Sequence, residues 1–204
     1  MSRARVAAAA ALTLSAIVLS VLAAPAASAA PQKKLDATLA ALWTAVLQTP
    51  SAENSFGTGG HAFDCWDLGG TVAPFHPIGA ISCTVKPGTK VFVVGFWVEC
   101  STFEGNGTTE AALRTCARDA NLIVPTVTLD GRPAPVAEAE TPLLRITLPS
   151  DNVFGLPAGD QGLSVGHGWV VALHPLTPGT HTLVIRTGTV DPVFTQIIVT
   201  PGHK

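Results

Sequence analysis

Apolar positions along this chain change period several times, and each change marks an element. Residues 6–24 form an unbroken, uncharged run rich in Ala and Leu. Leu35, Leu39, Leu42, Trp43 and Val46 then recur three or four residues apart across residues 33–47. That spacing puts them on one face of a helix, and Pro50 ends it. Residues 51–60 read as a Gly/Ser/Asn loop. Beyond it, stretches rich in Val, Ile, Thr and Phe predict strands over residues 71–75, 80–85 and 91–98, with a turn at Lys86-Pro87-Gly88-Thr89. Residues 110–120 read as a short helix, with Thr108 as N-cap and Glu110 at the positive end of the dipole. The rest predicts strands over residues 122–129, 143–148, 163–173, 181–187 and 194–200. Asp130-Gly131 signals a hairpin, residues 149–162 a long loop, and residues 175–180 a turn.

No internal repeat and no alternation of strands with crossover helices is visible. The expected fold is therefore mainly β, an Ig-like or jelly-roll-like antiparallel β-sandwich with a short N-terminal helix and one small inserted helix. Residues 1–29 read as a signal peptide, 30–60 as helix and linker, 61–200 as a single sandwich domain and 201–204 as a tail.

The first 29 residues change how the remainder is read. Arg3 and Arg5 precede the apolar run, Pro25 breaks it, and Ala27-Ser28-Ala29 supplies small residues for a signal peptidase cutting between Ala29 and Ala30. An uncleaved anchor is the rival reading, disfavoured because the run is only weakly apolar and a cleavage pattern follows it. The later apolar runs are short and interrupted by Gly and Pro, so no further membrane span is expected. The protein is expected outside the cell or at its surface.

Removing 29 of 204 residues leaves 175, enough for one domain with a core. The leader holds two of the 12 basic residues and none of the 14 acidic ones, so the remainder has 10 against 14, a charge of −4. No basic cluster exists to neutralise phosphates, which argues against nucleic acid and an acidic membrane surface as partners. In an oxidising compartment, Cys65, Cys83, Cys100 and Cys116 are expected to form two disulfides. Three pairings are open. The shorter loops favour Cys65–Cys83 and Cys100–Cys116, and each bridge is worth about 3 kcal/mol.

Four constellations invite a chemical reading. Gly162-Leu163-Ser164-Val165-Gly166 matches the G-x-S-x-G nucleophile elbow, with Asp191 and His203 following in hydrolase order. That motif needs a strand turning sharply into a helix. Here a Pro/Gly loop precedes the serine and a strand runs on, so a catalytic Ser164 is not expected. His167, His174 and His181 are spaced by seven. Across a turn, His174 and His181 can face each other, but two imidazoles alone make a weak metal site. His61, His76 and Asp64 cannot be placed near them from sequence. Glu99, Glu104, Asp151 and Asp160 lie in or beside loops, where a carboxylate pair can do glycosidase chemistry only at a fixed separation that nothing here sets. Asn106-Gly107-Thr108 fits an N-glycosylation pattern, on which a bacterial-style leader places no weight. Among the aromatics, Trp97 and Trp169 sit in apolar runs and are assigned to the core. Trp66, His167 and His174 are the residues proposed for a ligand surface.

The stretch Ser164-Val165-Gly166-His167-Gly168-Trp169-Val170-Val171-Ala172-Leu173-His174-Pro175-Leu176, followed by Pro178-Gly179-Thr180-His181-Thr182-Leu183, resembles a recurrent segment of uncharacterised secreted bacterial proteins. Those read S-V-x-D-G-Y-W-x-x-L-x-P-L-x-P-G-x-H-T-I. Residues 83–90, 98–105 and 148–157 are similar to the same group. The resemblance implies an exported all-β domain and no particular activity. His167 stands where the group has Asp, Trp169 where it has Tyr and His174 where it has Lys, so any role of that Asp is absent from this chain.

Together these readings point to an exported, non-catalytic β-sandwich without cofactor that binds a glycan or protein outside the cell or at the envelope. A secreted hydrolase with a loop-borne site is the alternative, and a structural envelope component a third reading. N-terminal sequencing of the exported protein is expected to begin at Ala30; a chain still starting at Met1 would establish the retained anchor instead.

Overall fold

The computed structural model describes residues 32–76, 80–188 and 190–202. The leader, its cleavage site at Ala29 and Ala30, and His203 lie outside the described residues. Helix α1, Gln32–Gln48, forms on the predicted stripe: Leu35, Leu39, Leu42, Trp43, Val46 and Leu47 are buried. Among the described residues eleven strands follow, with helix α2 at Glu110–Ala120 between β4 and β5. The strands are β1 Cys65–Asp67, β2 Thr71–Pro74, β3 Ile81–Val85, β4 Lys90–Ser101, β5 Thr126–Leu129, β6 Arg132–Ala134, β7 Ala137–Glu140, β8 Leu144–Thr147, β9 Gln161–Leu173, β10 Gly179–Arg186 and β11 Val193–Val199.

They form two sheets. The first runs β1-β2-β4-β9-β7, with β8 also on β9; the second runs β3-β11-β10-β5-β6. The sandwich is confirmed, but it is mixed rather than wholly antiparallel, because β2 pairs parallel to β4 and β3 parallel to β11. The predicted turn at Lys86–Thr89 closes with a backbone bond of 3.2 Å. It is a corner between the sheets, not a hairpin, since β3 and β4 belong to different sheets.

Strand alternation explains the long apolar runs. Val91, Val93 and Val171 join the core between the sheets, with Ile81, Leu183 and Ile197. Phe92, Val94 and Val170 point the other way, into a core capped by α1. Further along β4 and β9, Cys100 and Val165 pack under Leu113 and Ala117 of α2. The first sheet is therefore covered on both faces.

Three strands carry no strand signal that a sequence can show. β7 is Ala-Glu-Ala-Glu, made of helix formers held extended by pairing with β9. β6 contains Pro133, tolerable because it is an edge strand. β1 is only three residues long. The N-cap of α2 is Thr109, one residue past the predicted Thr108, and its hydroxyl accepts from the Ala112 N–H at 3.3 Å. Strand β5 starts at Thr126 rather than 122, and Leu122, Ile123 and Val124 are exposed.

Polar contacts fix the edges. Gln32 Nε2 donates to the Glu138 carbonyl at 2.7 Å, and Asp36 Oδ1 accepts from the Glu140 N–H at 3.1 Å, so α1 caps the free edge of β7. Arg114 and Arg118 of α2 pair with Glu140. Burial acts to raise the Glu140 carboxyl, but hydrogen bonds from the two guanidiniums outweigh it and hold it below the usual range. At the predicted hairpin, Asp130 and Gly131 have φ of 50° and 76°, as a type I′ turn requires. Asp130 also accepts from His181 Nδ1 at 2.7 Å, which raises the imidazole pKa and lowers the carboxyl's.

Cys65 is bonded to Cys83 and Cys100 to Cys116. The first bridge joins β1 to β3, the outermost strands of the two sheets; the second ties β4 to α2. Two disulfides point to an oxidising, non-cytoplasmic compartment. Among the described residues, no helix is long and apolar enough to cross a membrane.

Leu39 of α1 is fully buried. Leu39→Ala is expected to lower unfolding free energy by about 2–5 kcal/mol in urea titrations followed by Trp fluorescence.

Candidate functional site

The G-x-S-x-G segment lies within β9, and its period is two. Gly162, Ser164 and Gly166 therefore share one face of the strand. A Cβ on Gly166 would stand 2.3 Å from Trp43 Cδ1, and one on Gly162 would stand 2.5 Å from Phe103 Cζ. The glycines thus make room for two aromatic rings. Ser164 is fully buried in a strand, so it is no nucleophile elbow. Its hydroxyl donates to Glu99 Oε1 at 2.5 Å.

The register explains that contact. Glu99 lies opposite Gly166, and Ser101 opposite Ser164, so Ser164 reaches Glu99 diagonally. A bulge between Val94 and Phe96 shifts the parity of β4. Before it, Phe92 and Val94 face α1; after it, Trp97 does. Trp97 and Glu99 are two residues apart, and the bulge is what turns both toward the helix.

Trp43, Val46, Leu47, Phe56, Trp97, Glu99, Glu104, Val153 and Phe154 line a cleft here of about 210 Å³. Trp43 meets Trp97 edge-on with centroids 5.0 Å apart, and Phe56 lies 5.6 Å from Trp97. The rim rings are held by two matching turns. Asn54 Oδ1 accepts from the Phe56 N–H at 2.9 Å, and Asn152 Oδ1 from the Phe154 N–H at 3.2 Å. Both asparagines are buried, and both amides also donate to backbone carbonyls, Asn54 to Val46 and Asn152 to Leu156. The two loops are joined by the Ser51 N–H donating to the Asp151 carbonyl at 2.8 Å.

Glu99 is the chemically unusual group. Burial pushes its carboxyl up to about 8; the Ser164 hydroxyl opposes this, and the charge and hydrogen bond of Glu104 reinforce it. At neutral pH Glu99 is therefore mostly protonated, and it gives its proton to Glu104 in a hydrogen bond. Asp151 and Asp160, grouped with these acids by sequence, are exposed loop residues outside the cleft lining.

The residues expected to form a ligand surface do not converge. Trp66 is 8% exposed, and its Nε1 donates to the Phe75 carbonyl at 3.0 Å. It is the inward residue of β1, between two exposed neighbours. His167 is 3% exposed, with Nε2 2.7 Å from Glu138 Oε1. Only His174 is exposed. Nor do His174 and His181 make a metal pair, because both nitrogens of His181 are taken by Asp130 and the Thr177 carbonyl. Trp97, assigned to the core, is only partly buried and lines the cleft. Phe56 and Phe154 were missed. The signal available for them was the repeated Asn-x-Phe of Asn54-Ser55-Phe56 and Asn152-Val153-Phe154.

Among the described residues, His61, Asp64 and His76 are the one group of three His, Cys, Asp or Glu side chains close enough together to hold a metal ion. They share no residue with the cleft lining.

No family model matches the chain, and no curated protein matches it. Among solved structures, the solution structure of amebosin is similar over 61% of this chain and 99% of its own, at 9% identity and a TM-score of 0.24.

The Glu99 carboxyl is raised in the folded state, so it stabilises the fold below its unfolded value of 4.5 and that contribution is lost as pH rises toward about 8. Glu99→Gln is expected to flatten this loss in thermal melts across that window. In Ser164→Ala the Glu99 midpoint, read by carboxyl ¹³C NMR, should move higher still.

Proposed function

We propose that the protein is an exported, non-catalytic binding module of the secreted group it resembles, and that the cleft beside α1 seats one saccharide unit of a glycan. The observation that carries this reading is the buried, protonated Glu99 beside Glu104, set among aromatic walls. A sugar offers an apolar C–H face to Trp97 and Phe154 and hydroxyls to the carboxyls. Pockets that are mostly apolar with a few converging polar groups are the usual form of such sites. A fold with no use for the cleft gains nothing from a desolvated acid pair, which costs stability above its ordinary range.

The raised acid also supports a second reading, a hydrolase using Glu99 as general acid. Two carboxyls within hydrogen-bonding reach are closer than the roughly 5 Å that retaining glycosidases need, so such an enzyme would use a shared-proton dyad.

The test is binding of the purified protein to insoluble polysaccharides and isolated wall across pH. Binding is expected to hold at neutral pH and to weaken as pH rises through about 8, where Glu99 ionises. Glu99→Gln should bind and lose that pH dependence, and Phe154→Ala should weaken binding roughly tenfold. Binding that strengthens above this pH would instead mark a cationic ligand and overturn the glycan reading. Release of reducing ends, abolished in Glu99→Gln, would establish the hydrolase.

A further inference from the structure

We propose that His61, Asp64 and His76 form a three-ligand site for a divalent cation of the zinc type, at the start of the β1–β2 hairpin and separate from the cleft. The argument begins with Asp64. Its residue is 2% exposed, yet Oδ1 has no hydrogen-bond partner, while Oδ2 lies 2.8 Å from His61 Nδ1. A buried carboxylate oxygen without a hydrogen bond is costly, and a cation is one of the few groups that would satisfy it.

The other two ligands are brought to it by backbone. His61 and Asp64 are the second residue and C-cap of the 3-10 helix Gly60–Phe63, and the Asp64 N–H bonds the His61 carbonyl at 3.4 Å. His76 comes from the opposite arm. Cys65 pairs with Pro74 in the β1–β2 ladder, and the Phe75 N–H donates to the Asp64 carbonyl at 2.8 Å, extending it. His76 Nε2 is consequently 3.9 Å from Asp64 Oδ1, and the two imidazoles stack with centroids 4.4 Å apart. The Cys65–Cys83 bridge and the Trp66 indole bond to the Phe75 carbonyl brace both arms within two residues of the ligands.

One donor atom from each of the three lies within 4.8 Å of the others. Tetrahedral zinc with bonds of about 2.0–2.1 Å sets its ligands roughly 3.3 Å apart. Closing the difference can draw on His61, whose side chain is 65% exposed. Two imidazoles and a carboxylate suit zinc better than calcium or magnesium, which favour all-oxygen shells. Three protein ligands leave a fourth position for water or a small anion. His76 also lines an adjoining cavity of about 270 Å³, walled by Phe75, Phe96 and Trp97.

The test is titration of the oxidised full chain with Zn²⁺ alone, by calorimetry and by metal analysis after dialysis. One equivalent is expected, with a rise in melting temperature that EDTA reverses. Asp64→Asn and His76→Asn should each weaken uptake roughly tenfold or more, and His174→Ala should not. If Asp64→Asn does not fold, the exposed His61→Ala decides, with the same loss expected. X-ray absorption of the zinc-loaded protein should show two imidazole nitrogens and a carboxylate oxygen. Absence of saturable uptake by the folded wild type, or uptake unchanged in His61→Ala and His76→Asn, would overturn the site.

Discussion

The pairing of β4 with β9 is the constraint on which everything else rests. Ten residue pairs join these strands, the two longest in the protein, and every other strand of the first sheet attaches to one of them directly or through β2. Because both faces of this ladder are covered, its register is set twice: by the second sheet and α2 on one side, and by α1 on the other. A slip of one residue would exchange Val91 and Val93 for Phe92 and Val94, and both cores would fail together. The bulge after Val94 is where that strict alternation is relaxed, and it carries an acid, Glu99, onto the face turned to α1.

The cleft follows from that relaxation. Trp43 can lie against β9 only because Gly166 has no side chain, and the same absence leaves room opposite Glu99. A desolvated carboxyl is tolerated because it keeps its proton and accepts from Ser164. The rim is built differently. Its rings come from irregular segments that borrow order from buried asparagines, so polar side chains replace the ladder as the source of rigidity.

Much of the fold was legible because its periodicities are local. The α1 stripe, the α2 boundaries and the long strands are each written in consecutive residues. So was the favoured cysteine pairing, where short loop closure and the native distances agree. What was hidden depends on partners distant in sequence. β7 is extended only because β9 and α1 hold it, and its own residues prefer a helix. The parallel entry of β3 beside β11 leaves no mark in either strand. The site was harder still. Ser164 carried a motif whose familiar meaning was wrong, because its glycines serve neighbouring rings. Trp66 and His167 were put on a surface because the direction a side chain takes depends on strand partners distant in sequence, and each is turned inward. His61, Asp64 and His76 were noticed but could not be brought together, since only the β1–β2 pairing does so.

The bond between Cys65 and Cys83 gives the sandwich a spine. It stitches the outermost strand of one layer to the outermost strand of the other, while at the opposite margin β6 and β7 are joined by the two-residue link Pro135-Val136. The two layers are thus held covalently along both margins, like a book that is clasped as well as bound.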